Sequence, residues 1–152
     1  MIAYKLIISV FAFCILICGQ ARSQSLILQK GDSIIILVKA NKHHTKTGIK
    51  VGHGETYQIS ASGKWQDAGF EPTDAEGFPP KNGVMRSAKF LKAMPKENYM
   101  KLIAKSGGAH YAIGNSANII FRNGDLVLQA NDAAFFFGNN SGTLTVAIKR
   151  LN

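Results

Sequence analysis

Apolar residues recur along the chain in two patterns that are both typical of β-strands. The run over residues 33–38 is dense in β-branched residues and follows Gly31 and Asp32, so it predicts a buried strand. Residues 57–61 alternate apolar and polar side chains, which predicts a strand with one face in water. We expect Gly63 to end that strand, with Trp65 just beyond it and packed beside the core.

Further short strands are expected along the rest of the chain. They are predicted at residues 49–51, 100–104, 109–113, 117–121, 126–130 and 144–148. A polar loop over 41–48 precedes the first of these, and Asn123-Gly124-Asp125 is a turn signal. One short helix is expected around Ala88–Met94, stopped by Pro95. Seven or eight strands with almost no helix predict an all-β fold, an antiparallel two-sheet β-sandwich or jelly roll.

The N-terminal segment is predicted to be a signal peptide rather than part of the fold. Lys5 precedes an apolar stretch from Leu6 to Cys18, and small residues Ala21 and Ser23 suit a cleavage that leaves Gln24 first. The stretch is shorter than the roughly 20 residues of a transmembrane helix, which disfavours a retained anchor. Lipidation of Cys18 is disfavoured because Ile15, Leu16 and Ile17 precede it where a small residue is needed. We therefore predict residues 1–23 as signal peptide, residues 24–152 as one domain, and secretion or periplasmic localisation.

Composition narrows the chemistry of the mature chain. Cys14 and Cys18 are the only cysteines and both lie in the predicted signal peptide, which leaves no disulfide, thiolate metal site or cysteine nucleophile. Loss of Lys5 and Arg22 with that peptide lowers the formal net charge from +9 to +7. The lysines are scattered between Lys30 and Lys149 without a nucleic-acid-binding motif, so a basic secreted surface is favoured over nucleic-acid binding.

The connection over residues 131–142 carries the main candidate chemistry. It separates two good strand patterns with about twelve residues, where a hairpin needs about two to five. Asp132 supplies a carboxylate, and Asn139 and Asn140 supply amide oxygens, which are ligands that calcium prefers. An alternative is a turn in which these side chains bond only their own backbone.

The same segment resembles the PA-IL-type galactophilic bacterial lectins. The similar residues are Asn131-Asp132, then Phe137-Gly138-Asn139-Asn140-Ser141-Gly142, then an alternating last strand. Weaker similarity lies in 31–34, 47–51 and 62–65. The resemblance implies a galactose-binding-domain-like jelly roll with calcium at one end. It assigns as metal ligands the side chains of Asp132, Asn139 and Asn140, with backbone carbonyls of Phe136 and of Ala68 or its neighbour Asp67. Two sugar hydroxyls would complete the shell of seven oxygens.

The long loop over residues 67–83 departs from that family. The lectins place a His and a Gln there to hold the sugar, whereas residues 78–83 contain no His, and Asn82 is the only plausible amide. Phe78 or Phe70 is expected to offer an aromatic face to the sugar or to anchor the loop. We predict ligand contacts from Asn82, Phe78, Asp132 and Asn139, and leave the sugar open.

Other functions have weaker support. His43 and His44 are neighbours that would point to opposite faces of a strand, so we expect them to be solvated rather than chelating. Four acids in the long loop, Asp67, Glu71, Asp74 and Glu76, could form a glycosidase pair, but no nucleophile or hydrolase motif accompanies them. We therefore predict a non-catalytic, calcium-dependent carbohydrate-binding protein, expected to be a homo-oligomer because multivalency raises weak sugar affinity. The alternative is an adhesion or structural module of the cell envelope with the same fold and no sugar binding.

Overall fold

Two four-stranded antiparallel sheets form the protein. The computed structural model describes residues 25–152, so the signal peptide predicted over residues 1–23 lies outside the described residues. The strands are β1 (Ser33–Lys39), β2 (Thr45–Val51), β3 (Thr56–Gln66), β4 (Leu102–Ser106), β5 (Ala109–Ala112), β6 (Ser116–Ile120), β7 (Gly124–Ala130) and β8 (Ser141–Arg150). One sheet has the order β1-β8-β3-β6 and the other β2-β7-β4-β5. The predicted all-β sandwich is confirmed.

The core lies between the sheets and follows the alternation of the strands. On β8, Leu144, Val146 and Ile148 are fully buried, whereas the residues between them face outward. Leu126 and Leu128 of β7 are buried from the opposite sheet. Burial of each such side chain contributes roughly 1.5–3 kcal/mol, so the facing layers provide the main stabilisation of a domain whose described residues contain no cysteine.

Strand β3 is longer than predicted, because it continues through Gly63 to Gln66. Residues Tyr57 to Gln66 pair one for one with Arg150 to Ser141 of β8. Gly63 has φ 103°, and a Cβ there would lie 3.0 Å from the carbonyl oxygen of Thr143. Glycine thus allows β8 to approach closely instead of ending the strand. Trp65 is therefore a strand residue, and it is buried as expected.

The helix, the start of β2 and the turn before β7 also differ from the predictions, and β4, β7 and β8 differ from their predicted ranges by two to three residues at one or both ends. The helix α1 spans Gly83–Ala88, earlier than the predicted 88–94, because the side chain of Asn82 caps it by accepting from the Met85 N–H at 2.9 Å. A 3₁₀ turn at Lys89–Leu91 follows. Strand β2 begins at Thr45, inside the predicted loop. The turn at Asn123-Gly124 joins β6 of one sheet to β7 of the other, so it changes sheets instead of forming a hairpin.

No helix within residues 25–152 is both long enough and apolar enough to cross a membrane.

Asn131 anchors the segment after α1 to the end of β7. The side chain of Asn131 is fully buried. Its Oδ1 accepts a hydrogen bond from the Met94 N–H at 3.0 Å. Its Nδ2 donates to the carbonyl oxygens of Met94 and Asn98, both at 2.9 Å. The backbone of Asn131 also pairs with Met100 and Lys101. One amide therefore satisfies three backbone groups of a segment that has no regular strand of its own.

We predict that Asn131→Ala destabilises the fold by about 2–3 kcal/mol. Three backbone groups of Met94 and Asn98 lose their partner, and each costs less than the roughly 1–3 kcal/mol of a fully buried group because these residues are only half-buried. Urea unfolding followed by fluorescence of Trp65 measures the change. The matched control is Asn118→Ala on the exposed face of edge strand β6, which should change stability by less than about 0.5 kcal/mol. Equal losses in the two variants would contradict the anchoring role.

Candidate metal and ligand site

Three loops meet at one end of the sandwich. The register of β3 against β8 places Gln66 opposite Ser141, so the residues after β3 lie beside those before β8. An isolated antiparallel bridge between Lys92 and Ala133 adds the segment that follows α1. The candidate site is therefore assembled from residues 67–70, 92–99 and 131–140.

Asp132 and Asn140 form a buried pair at the centre of these loops. Both residues are only 4% exposed. Asp132 Oδ2 accepts from Asn140 Nδ2 at 2.9 Å, and Oδ1 accepts from the Ala133 N–H at 2.7 Å. Asn140 Oδ1 is buried and has no hydrogen-bond donor among residues 25–152. An unpaired buried carbonyl oxygen is costly, so this atom suits an additional partner such as a cation.

Asp67 brings a second carboxylate to the same site. It is 8% exposed, and its Oδ1 accepts from Asn139 Nδ2 at 3.2 Å. Burial raises the pKa of Asp67, and the negative charge of Asp132 raises it further. Hydrogen bonds from the Ala68 N–H and Asn139 offset only part of that rise. Two buried carboxylates that repel each other favour a positive charge between or beside them.

Lys92 and Tyr99 form the remaining wall. Lys92 is 4% exposed, its Nζ donates to the carbonyl oxygen of Glu97, and it lies 4.0 Å from the centre of the Tyr99 ring. Burial lowers the pKa of Lys92, while the charges of Asp132 and Glu97 oppose that change. Burial and then the charges of Asp132 and Asp67 raise the pKa of the Tyr99 phenol. Lys92 therefore supplies part of the positive charge that the carboxylates need.

The predicted metal ligands lie in this region, with different degrees of contact. Asp132 and Asn140 are hydrogen-bonded, whereas Asn139 is exposed and bonds Asp67 instead. The carbonyl oxygen of Phe136 accepts from the Asn139 N–H at 3.3 Å at the start of the 3₁₀ turn Phe137–Asn139. Ala68 follows Asp67 on the exposed side of the first loop.

Three groups of the candidate site were not predicted from the sequence: the carboxylate of Asp67 and the side chains of Lys92 and Tyr99. The signal for Asp67 was present, because a strand extended to Gln66 would have placed the next residue beside the asparagine pair. Lys92 and Tyr99 carried no comparable signal, since their position depends on how the segment after α1 folds back.

The predicted ligand residues of the long loop are used structurally. The Oδ1 atom of Asn82 caps α1. Phe78 is 6% exposed and packs against Phe70 and Tyr99, with ring centres 5.2 and 6.4 Å apart. Phe70 is half-buried, so it is the ring with an accessible face.

A cavity of about 360 Å³ lies beside the first loop. It is lined by Gly69, Phe70, Glu71, Pro72, Thr73, Phe78 and Lys81. The residues that line it begin at Gly69, directly after Asp67 and Ala68, so the cavity lies next to the candidate metal ligands along the chain. The mixture of an aromatic ring, a carboxylate and an ammonium group is suited to a polar ligand that has one apolar face.

The donor set favours a hard cation. No group of three or more His, Cys, Asp or Glu side chains suited to a metal is found among residues 25–152. A metal here would therefore depend on the two carboxylates together with amide and backbone oxygens. Calcium accepts such mixed oxygen sets, whereas zinc prefers nitrogen and sulfur.

The alternative candidates are not all separate from this site, since Asp67 belongs to it and the ring centre of His43 lies 4.7 Å from that of Phe137. The His43 and His44 rings are exposed, as expected, but their centres are 4.1 Å apart, so the expected opposite orientation is wrong. They lie in the turn before β2, where strand alternation does not apply. Glu76 accepts from the Asn115 N–H and forms a salt bridge with Lys101, so it holds the loop.

Comparison with known proteins supports a lectin-like fold. A solved structure described as the EclA N-terminal domain, a PllA-like lectin, is similar with a TM-score of 0.61 at 25% sequence identity. The match covers 76% of this chain and 94% of that domain. No protein-family model matches the chain, and no curated protein matches it. The structural similarity shows a fold like that of a lectin domain, and the galactophilic type stays a prediction.

We predict that Asp67→Asn stabilises the metal-free protein at neutral pH. The folded-state pKa of Asp67 is raised, so its contribution to stability is fully present below the unfolded pKa and is lost as pH rises through the folded pKa. The amide removes that loss and keeps an acceptor for Asn139. Thermal unfolding in excess chelator at pH 4 and pH 7 measures the change in stability. The melting temperature of the variant should exceed that of wild type at pH 7, and the difference should be much smaller at pH 4. A lower melting temperature at pH 7 would contradict the repulsion between the carboxylates.

Proposed function

We propose that this protein is an exported, non-catalytic carbohydrate-binding protein that holds a calcium ion at the end of its β-sandwich. The observation that carries the metal part is the buried Asn140 Oδ1 without a donor, beside two buried carboxylates that repel each other. The similarity to a PllA-like lectin supports carbohydrate binding in general.

The side chains of Asp132, Asn140 and Asn139 would hold the ion, with carbonyl oxygens from Phe136 and Ala68. Asp67 would add a carboxylate that the sequence analysis did not assign, either as a ligand or through its hydrogen bond with Asn139. A calcium ion beside the two carboxylates would relieve their repulsion. Asn140 Oδ1 would then gain the partner that residues 25–152 do not supply.

The cavity beside Phe70 would hold the sugar. Calcium supplies the chemistry of hydroxyl coordination, because a cation turns a weak contact with a neutral hydroxyl into a charge-assisted one. The half-buried Phe70 ring would contact the apolar face of the sugar, while Glu71 and Lys81 line the same cavity. None of the residues that line the cavity is a histidine, so the sugar is proposed as a monosaccharide unit of unspecified type rather than galactose.

The second candidate function is a calcium-stabilised envelope or adhesion module without sugar binding. The roles of Phe78 and Asn82 favour it, since one is buried as an anchor and the other caps α1. Export rests on the N-terminal sequence, and a homo-oligomer remains part of the proposal because a single sugar site binds weakly.

Calcium is expected to stabilise the mature protein against heat. At a free concentration of about 100 times the dissociation constant, the gain is about 2.7 kcal/mol. Scanning calorimetry with calcium, with magnesium and with chelator measures it. Asp132→Asn should abolish the calcium gain, whereas Asp125→Asn, an exposed carboxylate on β7, should keep it. An equal gain in both variants would contradict the site.

Sugar binding is expected to require calcium and the cavity. A glycan array probed with labelled protein, with calcium and with chelator, should show binding only with calcium. Phe70→Ala should lose sugar binding at least tenfold while its calcium-dependent melting shift persists. Calcium stabilisation without any glycan signal would favour the envelope module, and glycan binding in chelator would contradict the role of the ion.

A further inference from the structure

Three basic residues lie in one row across the outer face of the sheet β2-β7-β4-β5. Lys46 of β2 pairs with Val127 of β7, and Val127 pairs with Lys105 of β4. Lys105 in turn pairs with His110 of β5. Residues paired directly across neighbouring strands point to the same face, so the register aligns Lys46, Lys105 and His110.

The burial pattern shows which face this is. The neighbours of the row along the strands, Thr47, Leu128 and Ala104, are buried toward the core. Lys46 and His110 are exposed, and Lys105 is half-buried. Since neighbouring strands lie about 4.8 Å apart, the row extends over roughly 15 Å.

His44 adds to the same surface. An open cavity of about 340 Å³ is lined by His44, Lys46, Lys105, Ser106, Gly107, Gly108, Asp125 and Val127. Burial lowers the pKa of His44, and nearby His43, Lys105 and His110 lower it further. Burial and then Lys105 likewise lower the pKa of His110. These like-charge effects show that basic groups gather here, with Asp125 as the one acid of the cavity lining.

Neither lysine of the row is neutralised by a salt bridge. Within residues 25–152, Lys101 pairs with Glu76 and Glu97, and Arg150 pairs with Glu55. Lys46 and Lys105 form no such pair within the same residues. The sheet therefore presents two ammonium groups without a salt-bridge partner among residues 25–152, with an imidazole at each side.

We propose that this basic row, formed by His44, Lys46, Lys105 and His110, binds a linear anionic polysaccharide. The two ammonium groups lie on β2 and β4, two strand spacings or roughly 10 Å apart, which matches a chain with anionic groups at intervals. Single-stranded nucleic acid is favoured less, because Val127 occupies the centre of the row and its members include no Phe, Tyr or Trp side chain on which successive bases could stack. The two lysines lie on the face of the sheet, whereas the proposed calcium and sugar site lies in the loops beyond Ala130. His44 lies nearer those loops, because its neighbour His43 has its ring centre 4.7 Å from that of Phe137.

The test uses the mature chain on a surface carrying heparin, with unsulfated dextran as the reference polysaccharide. Wild type should bind heparin and not dextran, with affinity falling as salt rises. Lys46→Gln with Lys105→Gln should lower the affinity at least tenfold. The matched control is Lys64→Gln with Lys149→Gln, which removes the same charge from exposed positions on the other sheet and should lower affinity less than threefold.

Equal losses in the two double variants would overturn the proposal, because net charge alone would then explain binding. So would tighter binding of a single-stranded oligonucleotide than of heparin with the same dependence on Lys46 and Lys105. Asp132→Asn should leave heparin binding unchanged, which separates this surface from the proposed calcium site. Calorimetry of the Gln variants should give wild-type unfolding, so a loss of binding is not a loss of fold.

Discussion

The pairing of β3 with β8 determines where the candidate site forms. These strands pair without interruption from Tyr57 opposite Arg150 to Gln66 opposite Ser141. The close approach requires glycine on both strands: a Cβ on Gly63 would lie 3.0 Å from the Thr143 carbonyl oxygen, and one on Gly142 would lie 2.7 Å from that of Lys64. Because the register continues to the last pair, Asp67 leaves β3 beside Asn139 and Asn140. A shift of one residue would move these groups apart and turn Trp65 out of the core.

Charge then makes this end of the sandwich unlike the rest of the fold. Most of the core is apolar, whereas Asp67, Asp132, Asn140 and Lys92 are polar residues buried together. The one ammonium group offsets part of the charge of two carboxylates. Buried polar groups of this kind persist when each is paired. Within residues 25–152 three buried side-chain atoms lack a partner, Trp65 Nε1, Gln129 Oε1 and Asn140 Oδ1, and Asn140 Oδ1 is the one that lies beside the two carboxylates. This combination is what a sandwich that needed only stability would avoid.

Sequence patterns predicted the fold more completely than the site. Alternation found the strands because each has one face on the core, as in β8 with its buried Leu144, Val146 and Ile148. Alternation did not predict the length of β3, which depends on the backbone geometry of Gly63. It also did not predict the start of α1, which depends on the cap formed by Asn82. The pairing of Asp132 with Asn140 could be predicted from the sequence because both residues lie in the connection between β7 and β8. The positions of Lys92 and Tyr99 could not be predicted, because their segment reaches that connection only in the folded protein. The hydrogen bonds of Asn131 and the bridge from Lys92 to Ala133 hold it there.

The proposed calcium binding and the proposed sugar binding depend on different parts of the chain. The proposed calcium binding rests on the connection between β7 and β8, whose register with β3 leaves little freedom. The proposed sugar binding rests on the loop over residues 67–83, where the side chains of Phe78 and Asn82 serve the packing of the loop and the start of α1. Under the proposed function, a change of sugar would therefore require changes only around Phe70, Glu71 and Lys81, while the ion site would stay fixed. Calcium coordination and sugar identity would then be separable properties of this protein.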